Sequence, residues 1–160
     1  NPMHLSKWNI SATGNLFLAG ASKLNAPARI IYLDDHQLFR NGLADQCIRP
    51  FFKDSEIIQF YDGNQAWDFI RSQFNSGNKI DLVITDINHP GIKGNQLVEF
   101  IREQENVEKK EKPVPIMIIS MIAVSYFPDL LSKNKINYYV CKSAELGEVI
   151  DCLEEILYFE

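Results

Sequence analysis

Hydrophobic and polar positions fall into alternating blocks along most of the chain. Four short apolar runs each stop at a polar residue. Arg29-Ile30-Ile31-Tyr32-Leu33 meets Asp34-Asp35, and Asp81-Leu82-Val83-Ile84-Thr85 meets Asp86. Ile116-Met117-Ile118-Ile119 meets Ser120, and Tyr138-Tyr139-Val140-Cys141 meets Lys142. Continuous runs of this length, rich in β-branched and aromatic residues, predict strands buried on both faces, as in a parallel sheet. A fifth run, Glu56 to Tyr61, is only half apolar and predicts an edge strand.

Between these runs the apolar spacing becomes helical. Leu38, Phe39, Leu43, Cys47 and Ile48 form a stripe that Pro50 ends. Ala66, Trp67, Ile70 and Phe74 form a second, preceded by a turn at Asp62-Gly63-Asn64 and closed by Ser76-Gly77-Asn78. Leu97, Val98, Phe100 and Ile101 mark a third, and the mixed charges from Glu103 to Lys112 read as its solvated end and loop. Pro128 would break a helix interior but suits a first turn, so the fourth helix is predicted to be short and to start near Pro128. Ser143 is the expected N-cap of a fifth helix that buries Leu146, Val149, Ile150, Leu153, Ile156 and Leu157. Five β/α units with right-handed crossovers predict a flavodoxin-like, doubly wound α/β fold: five parallel strands with helices on both faces. In the strand order 2-1-3-4-5, strands one and three are neighbours, and ligands bind at the carboxyl ends.

Composition narrows the reading without redirecting it. The chain of 160 residues, 46% hydrophobic and 23% charged, is one domain's worth. Residues 28–160 carry the pattern; residues 1–27 show no clean period and read as an N-terminal extension or leader of unassigned role. A net charge of −5 and a pI near 5.2 argue against direct nucleic-acid binding. No stretch approaches the ~18 apolar residues of a membrane span. Leu16 to Ala21 is too short and interrupted for a signal peptide. Cys47, Cys141 and Cys152 lack metal-ligand spacing and read as reduced, core or near-core thiols of a cytoplasmic protein.

Taken singly, the strand-end residues have ordinary roles: Asp terminates strands, Ser bonds to backbone, and Lys caps in solvent. Brought to one rim, they make a site. Three carboxylates within a few ångströms cannot all stay ionised without a counter-charge, and an all-oxygen set open to water and phosphate suits Mg²⁺. A carboxylate there can attack phosphorus to give an acyl phosphate, with Lys142 and Ser120 placed to hold phosphoryl oxygens. His36 and His89 each lack a second His at ligand spacing and are left outside the metal site.

Residues from about 28 to 159 resemble a CheY-like receiver domain of two-component response regulators. The resemblance rests on the acidic pair Asp34-Asp35, Asp86 with its Asn88-Pro90-Gly94 loop, Ser120, and Tyr139-Val140-Cys141-Lys142. The opening from Asp34 to Leu43 also resembles the NarL/LuxR-type subgroup. The resemblance implies that Asp86 accepts a phosphoryl group from a histidine kinase or phosphotransfer protein, with self-phosphorylation and self-dephosphorylation rather than conventional turnover. It implies that Asp35, Asp86 and the Asn88 carbonyl bind Mg²⁺ directly and Asp34 through water. Lys142 would pair with Asp86 and then with the phosphoryl group, while Ser120 and Tyr139 would act as the switch. The surface of helix four, strand five and helix five would signal to an output domain or downstream protein, or pair two copies of the chain. The sequence is expected to be either a stand-alone receiver or, as the NarL/LuxR-like opening favours, part of a longer regulator with its output domain outside this sequence.

Three other protein classes share part of this residue set or fold. Haloacid-dehalogenase phosphatases use the same residue types, but there the nucleophile comes first in the chain. A flavodoxin-like cofactor site would need a phosphate-cradling loop where Asp34-Asp35-His36 stands. A pseudo-receiver would keep the fold and act by protein contacts without phosphorylation. Departures from the family pattern concern signalling geometry: Met121 replaces a small residue after Ser120 and is expected to narrow access, Ser143 replaces the Pro after Lys142, and Lys135-Ile136 replaces Gly-Ala before strand five.

Overall fold

The computed structural model describes residues 28–158; the expected N-terminal extension, residues 1–27, lies outside the described residues. The chain order is β1 (Arg29–Leu33), α1 (Gln37–Leu43), β2 (Glu56–Phe60), α2 (Gly63–Asn75), β3 (Leu82–Thr85), α3 (Gly94–Val107), β4 (Ile116–Ser120), α4 (Pro128–Ser132), β5 (Tyr138–Cys141) and α5 (Leu146–Tyr158). All strands are parallel in the order β2-β1-β3-β4-β5, as the alternation predicts. Among the described residues no helix is long and apolar enough to cross a membrane.

The two-residue period of the strands divides the core into two layers. Ile30, Tyr32, Leu82, Ile84 and Met117 pack with Leu43, Cys47 and Ile48 and with Val149, Leu153 and Ile156 of α5. Ile31, Leu33, Val83, Ile116 and Ile118 pack with Ala66 and Ile70 of α2 and Leu97, Val98 and Ile101 of α3. Each fully buried Ile or Leu contributes about 1.5–3 kcal/mol, so the two layers hold the sheet from both sides.

Local chemistry explains where the helices begin and end. Asp62 caps α2 by accepting from the Asn64 amide at 2.7 Å. Past the other end, Gly77 adopts φ +71°, and the Asn78 amide reaches back to the Gln73 carbonyl at 2.9 Å. Gln96 in the first turn of α3 accepts from the Lys93 amide at 3.0 Å. Short α4 begins at Pro128, as expected, after a single 3₁₀ turn at Val124–Tyr126. The stripe ended by Pro50 is not one regular helix: after Leu43 it widens into a π turn, Ala44–Ile48, closed by the Arg49 amide on Ala44.

Several expectations are corrected. Leu38 is 81% exposed because five residues, about 140° around a helix, separate it from Leu43. Leu146 is exposed because it is the first residue of α5, at the rim. Phe100 is exposed, yet its ring meets Trp67 at 5.7 Å between α3 and α2. Ser143 does not cap α5, which starts three residues later. Cys47 and Cys152 are buried, but Cys141 is exposed. Glu105, inside the presumed solvated run, is buried: it accepts from the Val114 amide at 2.6 Å and from Arg102 at 2.7 Å, fixing the approach to β4.

The loop between β3 and α3 is pinned by glycines on both sides. A Cβ on Gly94 would stand 1.9 Å from the Asp86 carbonyl oxygen, and one on Gly63 would stand 1.9 Å from that of Ile92. Gly94→Ala should therefore destabilise the fold by about 1–3 kcal/mol. Gly42→Ala, which meets nothing within 4 Å, should gain about 0.5–1 kcal/mol from helix propensity. Urea unfolding midpoints of the two variants check both signs.

Candidate functional site

The sheet ladder continues past the strands and places the rim residues. The Asp34 amide donates to the Phe60 carbonyl at 3.0 Å, the Asp86 amide to Leu33 at 3.1 Å, and the Lys142 amide to Ser120 at 3.0 Å. Asp34, Asp35 and Asp86 each offer a carboxylate oxygen, all within 4.8 Å of one another. Asp34 and Asp86 are buried, whereas Asp35 is exposed. Lys142 Nζ lies 3.0 Å from Asp34 Oδ2 and 3.5 Å from Asp86 Oδ2, so it is shared, and nearer Asp34 than the expected partner Asp86. Its other neighbour is the Phe39 ring, 5.0 Å away.

This cluster is electrostatically loaded. Burial raises the Asp34 carboxyl above the ordinary carboxylate range, and the Asp86 charge adds to the rise. The His36 amide at 2.8 Å and the Lys142 ammonium oppose it without cancelling it. Burial, with Asp34 and Asp86 nearby, also pushes the Tyr32 phenol far up, so it stays protonated. Arg40 braces the same corner, donating to the Asp34 carbonyl and to Gln59.

On the other side of Asp86, Ser120 is buried at the end of β4, and its Oγ accepts from the Ile122 amide at 3.0 Å. The half-buried Tyr139 donates its hydroxyl to the Ile122 carbonyl at 2.6 Å. Burial raises this phenol, while contact with Ser120 opposes the rise. Ser120 and Tyr139 thus hold opposite ends of one residue's backbone. Lys142 stands in a turn closed by the Ala144 amide on Cys141 at 2.9 Å and by Cys141 Sγ against Ser143 Oγ at 3.0 Å. These contacts restrain the loop that lacks the usual proline. Asn88 is exposed in the loop after Asp86.

Two residues at the site had no functional role in the sequence reading. Phe39 had been placed only in a helical core stripe. His89 is buried beside Asp86, its Nδ1 against Asp86 Oδ1 and its Nε2 2.6 Å from the Ile92 carbonyl. Its position three residues after Asp86 was visible in the chain. Its inward orientation depends on the loop, which α2 holds through Gly63 to the Pro90 carbonyl at 2.8 Å and Asn64 to the Ile92 amide at 3.0 Å.

Comparison with known proteins agrees with this architecture. A family model described as "Response regulator receiver domain" matches residues 30–154. The response regulator GtcR of Aneurinibacillus migulanus is 36% identical over 64 residues, 40% of this chain and 22% of that relative's length. A DNA-binding response regulator of the LuxR family from Staphylococcus aureus superposes with TM-score 0.62 at 22% identity, covering 81% of this chain and 98% of the other. Vibrio cholerae chemotaxis protein CheY4 superposes with TM-score 0.63 at 17% identity, covering 82% and 100%. At those identities the solved structures show the CheY-like fold alone. With most of the chain matched by the family model, and with the acidic rim in place, the chain belongs to the response regulator receiver domain family of two-component signalling.

Proposed function

We propose that Asp86 accepts a phosphoryl group from a phosphohistidine of a histidine kinase or phosphotransfer protein, and that the change is passed to an output domain or downstream protein. The observation that carries this reading is the shared ammonium: Lys142 Nζ stands 3.0 Å from Asp34 and 3.5 Å from Asp86, within a group of three carboxylates. Three carboxylates against one ammonium, with Asp34 raised by burial, fit a hard divalent cation with oxygen ligands. Asp34, Asp35, Asp86 and the Asn88 carbonyl would hold Mg²⁺, which when bound neutralises charge on the carboxylates and the incoming phosphate.

The protein's own groups account for the rest. Asp86 Oδ2 attacks phosphorus, the bond to the donor breaks, and the donor leaves with the electron pair. Lys142 holds phosphoryl oxygens electrostatically. The Ser120 hydroxyl releases the Ile122 amide to do the same, and Tyr139, bonded to the same residue, moves with it. The β4–α4 side carries exposed Met121, Val124, Tyr126 and Leu131, an apolar surface suited to a protein partner.

The direct test is the mass of the intact chain after incubation with Mg²⁺ and a small acyl-phosphate donor. One phosphoryl should be added, and none to Asp86→Ala; equal labelling of both would refute the assignment, and no adduct would favour a pseudo-receiver. Met121, 69% exposed beside the switch residue, should slow turnover by bulk, so Met121→Ala should hydrolyse its acyl phosphate faster; an unchanged rate counts against the steric role. Asp34 has a raised folded-state carboxyl, so its stability contribution is full below the ordinary carboxylate range and is lost as pH rises through the raised value. Asp34→Asn should therefore stabilise the metal-free protein at neutral pH, with the gain fading as pH falls below the ordinary carboxylate range. Denaturant midpoints with a chelator at neutral pH and below that range check this.

A further inference from the structure

Lys142 has one neighbour to which the chemistry above gives no task. Its Nζ stands over the ring of Phe39, 5.0 Å from the ring centre, while its oxygen partners are Asp34 at 3.0 Å and Asp86 at 3.5 Å. An ammonium offers three hydrogens and accepts none, so the negative face of the ring is a third attractive neighbour beside the two carboxylates. The Lys142 side chain is only 13% exposed. A cation–π contact is strongest where both groups are withdrawn from water, as they are here.

The ring is held in place by the corner that carries Asp34. Phe39 lies in α1, half-buried and packed against the core layer that contains Tyr32 and Leu43. The first turn of α1 is tied to the end of β1, because the His36 amide donates to Asp34 Oδ1 at 2.8 Å and the Arg40 amide closes on the His36 carbonyl at 3.0 Å. The Arg40 guanidinium then donates to the Asp34 carbonyl and, at 2.6 Å, to Gln59 of β2. Phe39 and Asp34 therefore belong to one rigid corner. Lys142 comes to that corner from the end of β5, across the sheet.

We propose that Phe39 is a positioning residue: it keeps the Lys142 ammonium at the acidic rim and, resting on the phosphoacceptor reading, keeps it there for the phosphoryl group that Asp86 receives. The chemistry of the ring decides which cation it favours. A side chain bearing oxygen would hold the ammonium too, but it would also offer a ligand to a hard divalent cation. A phenyl ring has no oxygen to offer and strengthens the hold on lysine alone. Lysine and a divalent cation draw on the same carboxylates, so each weakens the other there. Phe39 thus tilts that competition toward the lysine, and it holds the ammonium within reach of phosphoryl oxygens on Asp86.

Two substitutions and three readings on the full chain test this role. Phe39→Leu keeps an apolar side chain on α1 without the aromatic face, and Phe39→Tyr keeps the face. In nuclear magnetic resonance without metal, the protons on the carbon bearing Lys142 Nζ should be shifted upfield by the ring in the unaltered chain and in Phe39→Tyr, and should return toward the ordinary lysine position in Phe39→Leu. Titrated with Mg²⁺ alone, Phe39→Leu should bind roughly threefold more tightly, and Phe39→Tyr like the unaltered chain. At saturating Mg²⁺ with a small acyl-phosphate donor, Phe39→Leu should gain its adduct roughly three- to tenfold more slowly, again with Phe39→Tyr near the unaltered chain. The opposite signs separate positioning from packing, since damage to the corner would weaken both. Unfolding midpoints are measured alongside, and Phe39→Met, also apolar and without a ring, takes the place of Phe39→Leu if that variant does not fold. Mg²⁺ affinity and labelling that fall together, or that do not change, overturn the role of Phe39. No adduct on the unaltered chain overturns the phosphoacceptor reading, and the proton shift with the Mg²⁺ titration then decides on Phe39 by itself.

Discussion

Two buried carboxylates sharing one ammonium set the terms for the rest of the molecule. Asp34 and Asp86 are withdrawn from water, and Lys142 is largely so. Desolvating such groups costs several kcal/mol each, and the cost is offset only if partners are held at close range. Backbone supplies that hold. Each of the three residues is the first past its strand, and each amide is still bonded to the neighbouring strand, so the charges cannot relax apart without unzipping the sheet edge. The apolar layers on either side of the sheet therefore support an arrangement of charge that would not persist in an isolated loop.

Rigidity is distributed unevenly around this cluster. On the β3–α3 side, glycines at 63 and 94 let backbone approach backbone, and α2 grips the loop by two hydrogen bonds. On the β4–α4 side, α4 is five residues long and Leu130 is its one buried residue. Its connection to β5 is tied to α3 instead, through Lys135 to Glu99 and Arg102 to the Lys135 carbonyl at 2.9 Å. Segments with little buried area open at the lowest free energy. A change at Ser120 or Tyr139 thus meets a yielding neighbour at Val124–Tyr126 and a stiff one at the loop after Asp86.

What the chain's pattern revealed follows from how far each signal reaches. Strand order, the rim and the short α4 were legible because runs such as Ile116–Ile119 and the breaker Pro128 act locally. Leu38 and Leu146 misled because a count of apolar residues does not say where a helix overhangs its sheet. Glu105 was misread since its partner amide, at Val114, lies across a loop. Ser143 looked like a cap, but the turn that holds Lys142 displaced the helix start. His89 was dismissed for want of a second histidine, a test for metal sites that says nothing about a ring aimed at a carboxylate.

The position of Lys142 has a consequence for how the site responds to charge. In the present arrangement the ammonium is nearer Asp34, the carboxylate read as an indirect metal partner, than Asp86, the proposed acceptor. Any cation entering among the carboxylates weakens the hold of Asp34 on the ammonium, because the same negative charge is then shared. The side chain is long enough to follow, and Phe39 gives it an aromatic face on which to slide rather than water to escape into. A phosphoryl group on Asp86 Oδ2, as proposed, would then find the ammonium already loosened from Asp34. On that reading, coupling between metal and phosphoryl would need no long path through the fold, only one lysine with two carboxylates to choose between.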